Sequence, residues 1–143
     1  MSATKLYTPE VLGLAASLAA WPLTADLPTQ GAGRSKTCGS TITLGLDLDG
    51  EGRIAAIGIR SHACAVGQAA AAIFAAAARG RDADAIHRDA AALADWLAGR
   101  AELPDWPGLA AIAAARDYPA RHGAILLPWN AARDLLPTGP SRR

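Results

Sequence analysis

Residues 41–48 and 53–60 constrain the fold more than any other part of the chain. They are two short apolar alternations joined by Asp49-Gly50-Glu51-Gly52. In the first, Ile42, Leu44, Leu46 and Leu48 share one side; in the second, Ile54, Ala56 or Ile57, and Ile59 do so with one irregularity. A period of two marks a strand, and the connection is rich in residues that accept positive φ in a tight turn. The pair reads as an antiparallel hairpin with one covered face and one wetter face. A hairpin returns the chain to the end from which it started. Cys38 precedes the first strand and Cys64 follows the second, and the chain has two cysteines. Both thiols are therefore expected at the same end of the sheet.

Helices must supply the cover. Residues 11–20 are apolar, follow Lys5 and match a signal-peptide core in length. Thr8-Pro9-Glu10 instead makes a good helix start, with Thr8 as N-cap and Pro9 at the first helical position. Val11, Leu14, Ala15 and Leu18 then form a stripe at helical spacing, so the segment reads as an amphipathic helix docked on the core. After the hairpin, residues 65–79 are nearly all alanine around Ile73 and Phe74, and Gly80 stops them. Asp82 or Asp84 caps a helix running to about Ala98, with Ile86, Ala90, Leu93 and Leu97 as its stripe and Gly99 as its stop. Residues 103–107 form a proline-bounded linker, 109–116 a short helix, and Tyr118-Pro119 a break. The last helix is expected over 125–136, with Pro128 near its start.

Residues 23–36 contain Pro28, Gly31 and Gly33 and read as a loop or a poorly regular edge strand. Gly31-Ala32-Gly33-Arg34-Ser35-Lys36-Thr37 looks like a phosphate-binding loop. The pattern, however, needs glycine where Gln30 and Ser35 stand, and no apolar strand runs into it. Helix, antiparallel strands and then several helices indicate an α+β class. No repeat or second domain is visible, and 143 residues suit one domain with its own core. A net charge of +1 gives no warrant for a nucleic-acid or anionic-membrane partner. No segment has the length to span a bilayer. Two cysteines are too few for a secreted disulfide scaffold of this size, so a reduced cytoplasmic setting is expected.

Cys64 stands directly before a helix, where unpaired amides and the helix dipole favour a thiolate suited to metal or sulfur chemistry. Cys38 lies between Thr37 and Gly39, and a glycine lets the backbone approach a bound ion closely. The alternative is that both are small, buried, inert side chains.

Thr37-Cys38-Gly39, the two strands with their glycine turn, and Cys64 opening a small-residue helix resemble the IscU/NifU-type iron–sulfur cluster assembly scaffolds. Asp117-Tyr118-Pro119-Ala120-Arg121-His122-Gly123-Ala124, followed by Leu127-Pro128-Trp129, is similar to the segment around the third cysteine in the SufU branch. The likeness runs from about Tyr7 to Leu136. It implies a three-stranded antiparallel sheet covered by helices, with the N-terminal and C-terminal helices on one face. It also implies one scaffold domain over residues 1–136, with 137–143 as a tail. Family members receive sulfur from a cysteine desulfurase and pass it on to recipient apo-proteins.

The resemblance puts Cys38 and Cys64 at cluster-ligand positions. This chain departs from the family at Ser40, where an aspartate is usual, at Ala124, where the third cysteine belongs, and at Gly123, where some members have histidine. A zinc ion or a [2Fe-2S] cluster takes four ligands. His122, two positions before Ala124, is a candidate nitrogen ligand, and His62 is a second. Alternatively, two chains donate their thiols to one shared cluster as a homodimer. His87 reads as surface, and Asp47 and Asp49 as the solvated end of the hairpin. Arg116 and Arg121 would rim the thiols or remain solvated.

The expected function is a non-enzymatic scaffold or carrier that holds a transient [2Fe-2S] cluster, or iron and sulfide, and hands it on. Zinc binding is a variant of that reading. Two alternatives stand beside it: a degenerate scaffold fold that binds a desulfurase-type partner without a cluster, and a thiol enzyme with Cys64 as nucleophile and His62 or His122 as base.

Overall fold

The computed structural model describes residues 6–36 and 39–137. Helix α1 (Pro9–Ser17) starts as the sequence indicates, with Thr8 Oγ1 accepting from the Val11 N–H at 3.1 Å. Next come β1 (Thr29–Arg34), β2 (Thr41–Leu48) and β3 (Ile54–His62), then α2 (Ala65–Ala78) and α3 (Ala83–Leu97). Two 3-10 segments, Leu109–Asp117 and Pro119–Arg121, lead into α4 (His122–Leu135). Asp82 caps α3 by accepting from Ala85 N–H, and Gly80 and Gly99 take φ of 90° and 82° after their helices.

The sheet is three-stranded and antiparallel in the order β1-β2-β3, so the α+β class and its sheet are as expected. The irregularity in the second apolar alternation is a register shift, with Asp47 opposite Ala56 and Leu48 opposite Ile54. Such a bulge explains why the period of two breaks there. β3 runs on to His62, beyond the expected end at Arg60.

Ile42, Leu44, Leu46, Ile57 and Ile59 face inward onto α2 and α4. α1 rests on α2 and α3 on α4, which places these helices on the same side of the sheet as a second layer. Gly33 lies against Leu127 and Ala131 of α4, and Gly31 against Leu135. That contact explains why β1 shows no apolar alternation: two of its three inward positions, Gly31 and Gly33, carry no side chain because α4 fills the space.

The outer face is not uniformly wet. The Trp21 carbonyl accepts from Ile59 N–H at 2.8 Å at the free edge of β3, and residues 21–28 then cross the outer face to reach β1. The crossing needs the paired glycines Gly45 and Gly58, since a β-carbon on Gly58 would fall 2.4 Å from the Pro22 carbonyl oxygen and one on Gly45 would fall 2.8 Å from Leu23. Gln30 Nε2 secures the crossing through the carbonyls of Thr24 and Leu27.

Residues 103–107 do more than link. Trp106 is buried, donates from Nε1 to the Ile73 carbonyl at 2.9 Å and stacks on Phe74 at 5.4 Å between centroids. Trp129 meets both rings edge-on, at 5.2 Å from each, and the Arg81 guanidinium lies 4.0 Å above Trp106. α4 begins at His122 rather than at Ile125, so Pro128 is interior and has no N–H to offer the Ala124 carbonyl. His87 is not a surface residue: it is half-buried, and its Nε2 donates to the Leu136 carbonyl at 2.8 Å. No helix among the described residues is long and apolar enough to cross a membrane.

Candidate functional site

Strand register defines the end of the sheet that carries the site. Thr41 is opposite Arg34 on one side and opposite His62 on the other. The connection between β1 and β2 and the exit from β3 therefore share an end, as a hairpin requires. The described part of the connection is drawn closed by Ser35 N–H to the Ser40 carbonyl at 2.8 Å and Gly39 N–H to the Ser35 carbonyl at 3.2 Å. Gly39 has φ of 74°, which suits glycine, while Ser35 and Ser40 are buried. Cys38 lies outside the described residues.

Cys64 is the N-cap of α2, with extended backbone (φ −65°, ψ 170°) and no capping hydrogen bond from its side chain. It is a free, half-buried thiol. Its carbonyl accepts from Gln68 N–H at 2.9 Å, and Gln68 Nε2 donates to the Ala63 carbonyl at 3.0 Å. This clamp fixes the turn from strand into helix and leaves the sulfur at the helix start.

Ala124 is buried in the first turn of α4 and packs against the first turn of α2. A β-carbon on Gly67 would lie 3.1 Å from the Ala124 β-carbon and 2.8 Å from that of Ala63. Gly67 is one helical turn beyond Cys64 on the same face. The position at which the resemblance expects a third cysteine is thus held, as a methyl group, beside the helix turn that Cys64 opens. Gly67 did not stand out in sequence, although a glycine in the first turn of an alanine helix is itself a sign of close approach.

His122 opens α4, and its Nε2 lies 2.8 Å from the Arg116 carbonyl. A carbonyl only accepts, so Nε2 carries a proton, and in the neutral ring the lone pair is on Nδ1. His62 is exposed at the end of β3 on the outer face, and the strand stops before Cys64. The two arginines differ in setting: Arg116 is exposed, whereas Arg121 is half-buried and donates to the Tyr7 hydroxyl at 3.1 Å. A groove of about 320 Å3 between β1 and α4 reaches this end at Gly123 and is also lined by Lys36 and Asn130. Among the described residues no group of three or more His, Cys, Asp and Glu side chains could hold a metal ion.

The turn end of the hairpin behaves as expected. Asp49 accepts from the N–H groups of Glu51 at 2.8 Å and Arg53 at 3.0 Å. The Arg53 bond first, and the Glu51 bond second, hold its carboxyl below the ordinary value of 3.8.

No protein-family model matches the chain, and no curated protein matches it. Solved structures do. A NifU-like N-terminal protein from Brucella abortus superposes with a TM-score of 0.84 at 26% identity, covering 94% of this chain and 94% of that one. A structure named as an iron–sulfur cluster assembly scaffold protein for the SUF system, from Fervidobacterium islandicum AW-1, gives 0.82 at 19% identity and covers 92% and 97%. A hypothetical protein gives 0.67 at 21% identity over 87% and 95%. In fold, the chain resembles the NifU N-terminal-like and SufU-type scaffold structures over more than 90% of its length.

Proposed function

We propose that this protein is an iron–sulfur cluster assembly scaffold or carrier, and that its two thiols are the points of attachment for its cargo. The observation that carries this reading is the placement of Cys64. It caps α2 at the same end of the sheet as the β1–β2 connection, within a fold shared with NifU-like and SufU-type structures. In this reading Cys38 and Cys64 bind iron and sulfide, or a transient [2Fe-2S] cluster, as cargo rather than as a resident cofactor. Two thiolates are half of the four ligands that such a cluster takes. His122 through Nδ1, or the thiols of a second chain in a homodimer, would supply the rest. A tetrahedral zinc site would draw on the same donors. The protein holds and transfers rather than turning over a substrate. Its partners would be a cysteine desulfurase and recipient apo-proteins in the reducing cytoplasm, and residues 1–136 would act as one domain.

Ser40 and Ala124 support a second reading, in which the fold keeps a desulfurase-type partner but no longer carries a cluster. Anaerobic reconstitution with iron and sulfide separates the two. Visible charge-transfer bands with bound iron, absent in both Cys38→Ser and Cys64→Ser, are the expected result. A colourless, metal-free product would overturn the cargo reading and leave the partner-binding one, whereas bound zinc without sulfide would point to a zinc site.

A further inference from the structure

The outer face of the sheet has a second feature at the thiol end. Inward positions alternate with outward ones, so strand register places Arg34, Thr41 and His62 in one outward row across the three strands and Ala32, Thr43 and Arg60 in the next. Arg34, Ala32, Arg60 and His62 are exposed, and Thr41 and Thr43 are half-buried. The crossing segment covers the following row, Gln30, Gly45 and Gly58, and so walls off these two rows from Asp47 at the turn end. Among the described residues, these two rows present three basic side chains and no carboxylate.

Among the described residues, none of these basic groups makes an ion pair. The ion pairs among the described residues join Arg53 to Glu51, Arg81 to Asp89, and Arg100 to Asp95. Asp134 lines the groove beside Arg34, yet makes no ion pair with it. Neighbouring strands are about 4.8 Å apart and outward rows about 7 Å apart, so the patch measures roughly 10 by 7 Å. That area fits a few carboxylates spaced along one extended segment. It is too short to follow a nucleic-acid backbone, and it has none of the aromatic side chains on which single-stranded bases stack.

We propose that this open end of the outer face is a docking surface for an acidic segment of a partner protein, with Arg34 and Arg60 as its anchors. A partner seated there lies next to the β3 exit and so to Cys64, two residues beyond His62. Docking at this patch does not depend on bound cargo. Its test uses neither iron nor sulfide, so its failure and the failure of the cargo reading can be told apart.

The test titrates the full chain with a short peptide of alternating Glu and Ser, followed by amide chemical shifts and fluorescence anisotropy at low salt. The expected result is salt-dependent binding, with shifts confined to the ends of β1, β2 and β3 around Arg34, Thr41 and Arg60. Arg34→Glu/Arg60→Glu should weaken it by about tenfold or more. The milder Arg34→Gln/Arg60→Gln should weaken it in the same direction, and Arg79→Glu/Arg88→Glu should leave it unchanged. Absence of binding, equal loss in the Arg79/Arg88 variant, or shifts elsewhere would overturn the proposal. So would a thymidine oligonucleotide or an anionic phosphatidylglycerol vesicle that binds this face as tightly as the peptide.

Discussion

The two halves of α2 are held by opposite means. Around Phe74 the helix is gripped by large rings: Trp106 stacks on it, Trp129 closes edge-on, and Arg81 lies over the stack. Around Gly67 the groups that approach it most closely are small, the methyls of Ala63 and Ala124. Aromatic burial contributes more per residue than any other side-chain type. Stability is therefore concentrated in the second half, and the first half is free to carry a half-exposed thiol.

Three substitutions test that contrast, in descending order of expected effect. Trp106→Ala removes a buried ring and its bond to the Ile73 carbonyl, and should lower the free energy of unfolding by about 4 kcal/mol. Urea denaturation measures it, and a loss below about 1 kcal/mol would mean that the aromatic half is not the stronger one. Gly67→Val pushes a side chain into the contact with Ala63 and Ala124, for a cost of about 2 kcal/mol. It should also prise α4 from α2 and alter the reactivity of Cys64 toward an alkylating agent. An unchanged alkylation rate would show that this small-residue contact does not shape the thiol end.

The third test concerns charge in the aromatic half. Burial raises the Asp89 carboxyl above its ordinary 3.8, and the nearby Arg81 and Arg88 only partly offset this, even though Asp89 pairs with Arg81 at 3.3 Å. A raised carboxyl binds its proton more tightly in the folded state, so its charged form costs stability above that raised value. The cost is relieved as pH falls through the window just above 3.8. Asp89→Asn should therefore leave the protein at neutral pH as stable or slightly more so and remove that relief from the acid side of the stability curve. Asp49 has the opposite sign. Its lowered carboxyl adds stability that is present above 3.8 and is lost as pH falls below it. Thermal melts across this range would separate the two, and a marked destabilisation of Asp89→Asn at neutral pH would mean that attraction to Arg81 outweighs the cost of burying the carboxylate.

How much of this was legible depended on whether a residue's environment is local. The β2–β3 hairpin, its bulge and the caps of α1 and α3 could be read because alternation, glycine turns and capping side chains act within a few positions. β1 was indistinct because Gly31 and Gly33 leave their inward space to α4, far along the chain. Trp106 read as part of a linker because the rings that bury it come from α2 and α4. His87 read as exposed because its acceptor, the Leu136 carbonyl, follows the last helix. The start of α4 was placed too late because a proline was assigned to a first turn that lies further upstream. That the β1–β2 connection and Cys64 share one end of the sheet follows from the hairpin alone. His122 joined that end through the resemblance, and its bond to Arg116 depends on a 3-10 segment that periodicity does not reveal.

The crossing of residues 21–28 over Gly45 and Gly58 has a consequence for the order of assembly. The segment seats on β2 and β3 together, so its seat exists only after those two strands have paired. The hairpin needs only local contacts, whereas the bond from Ile59 to the Trp21 carbonyl closes a much longer loop. Residues 21–28 therefore precede the hairpin in the chain but find their place only after it.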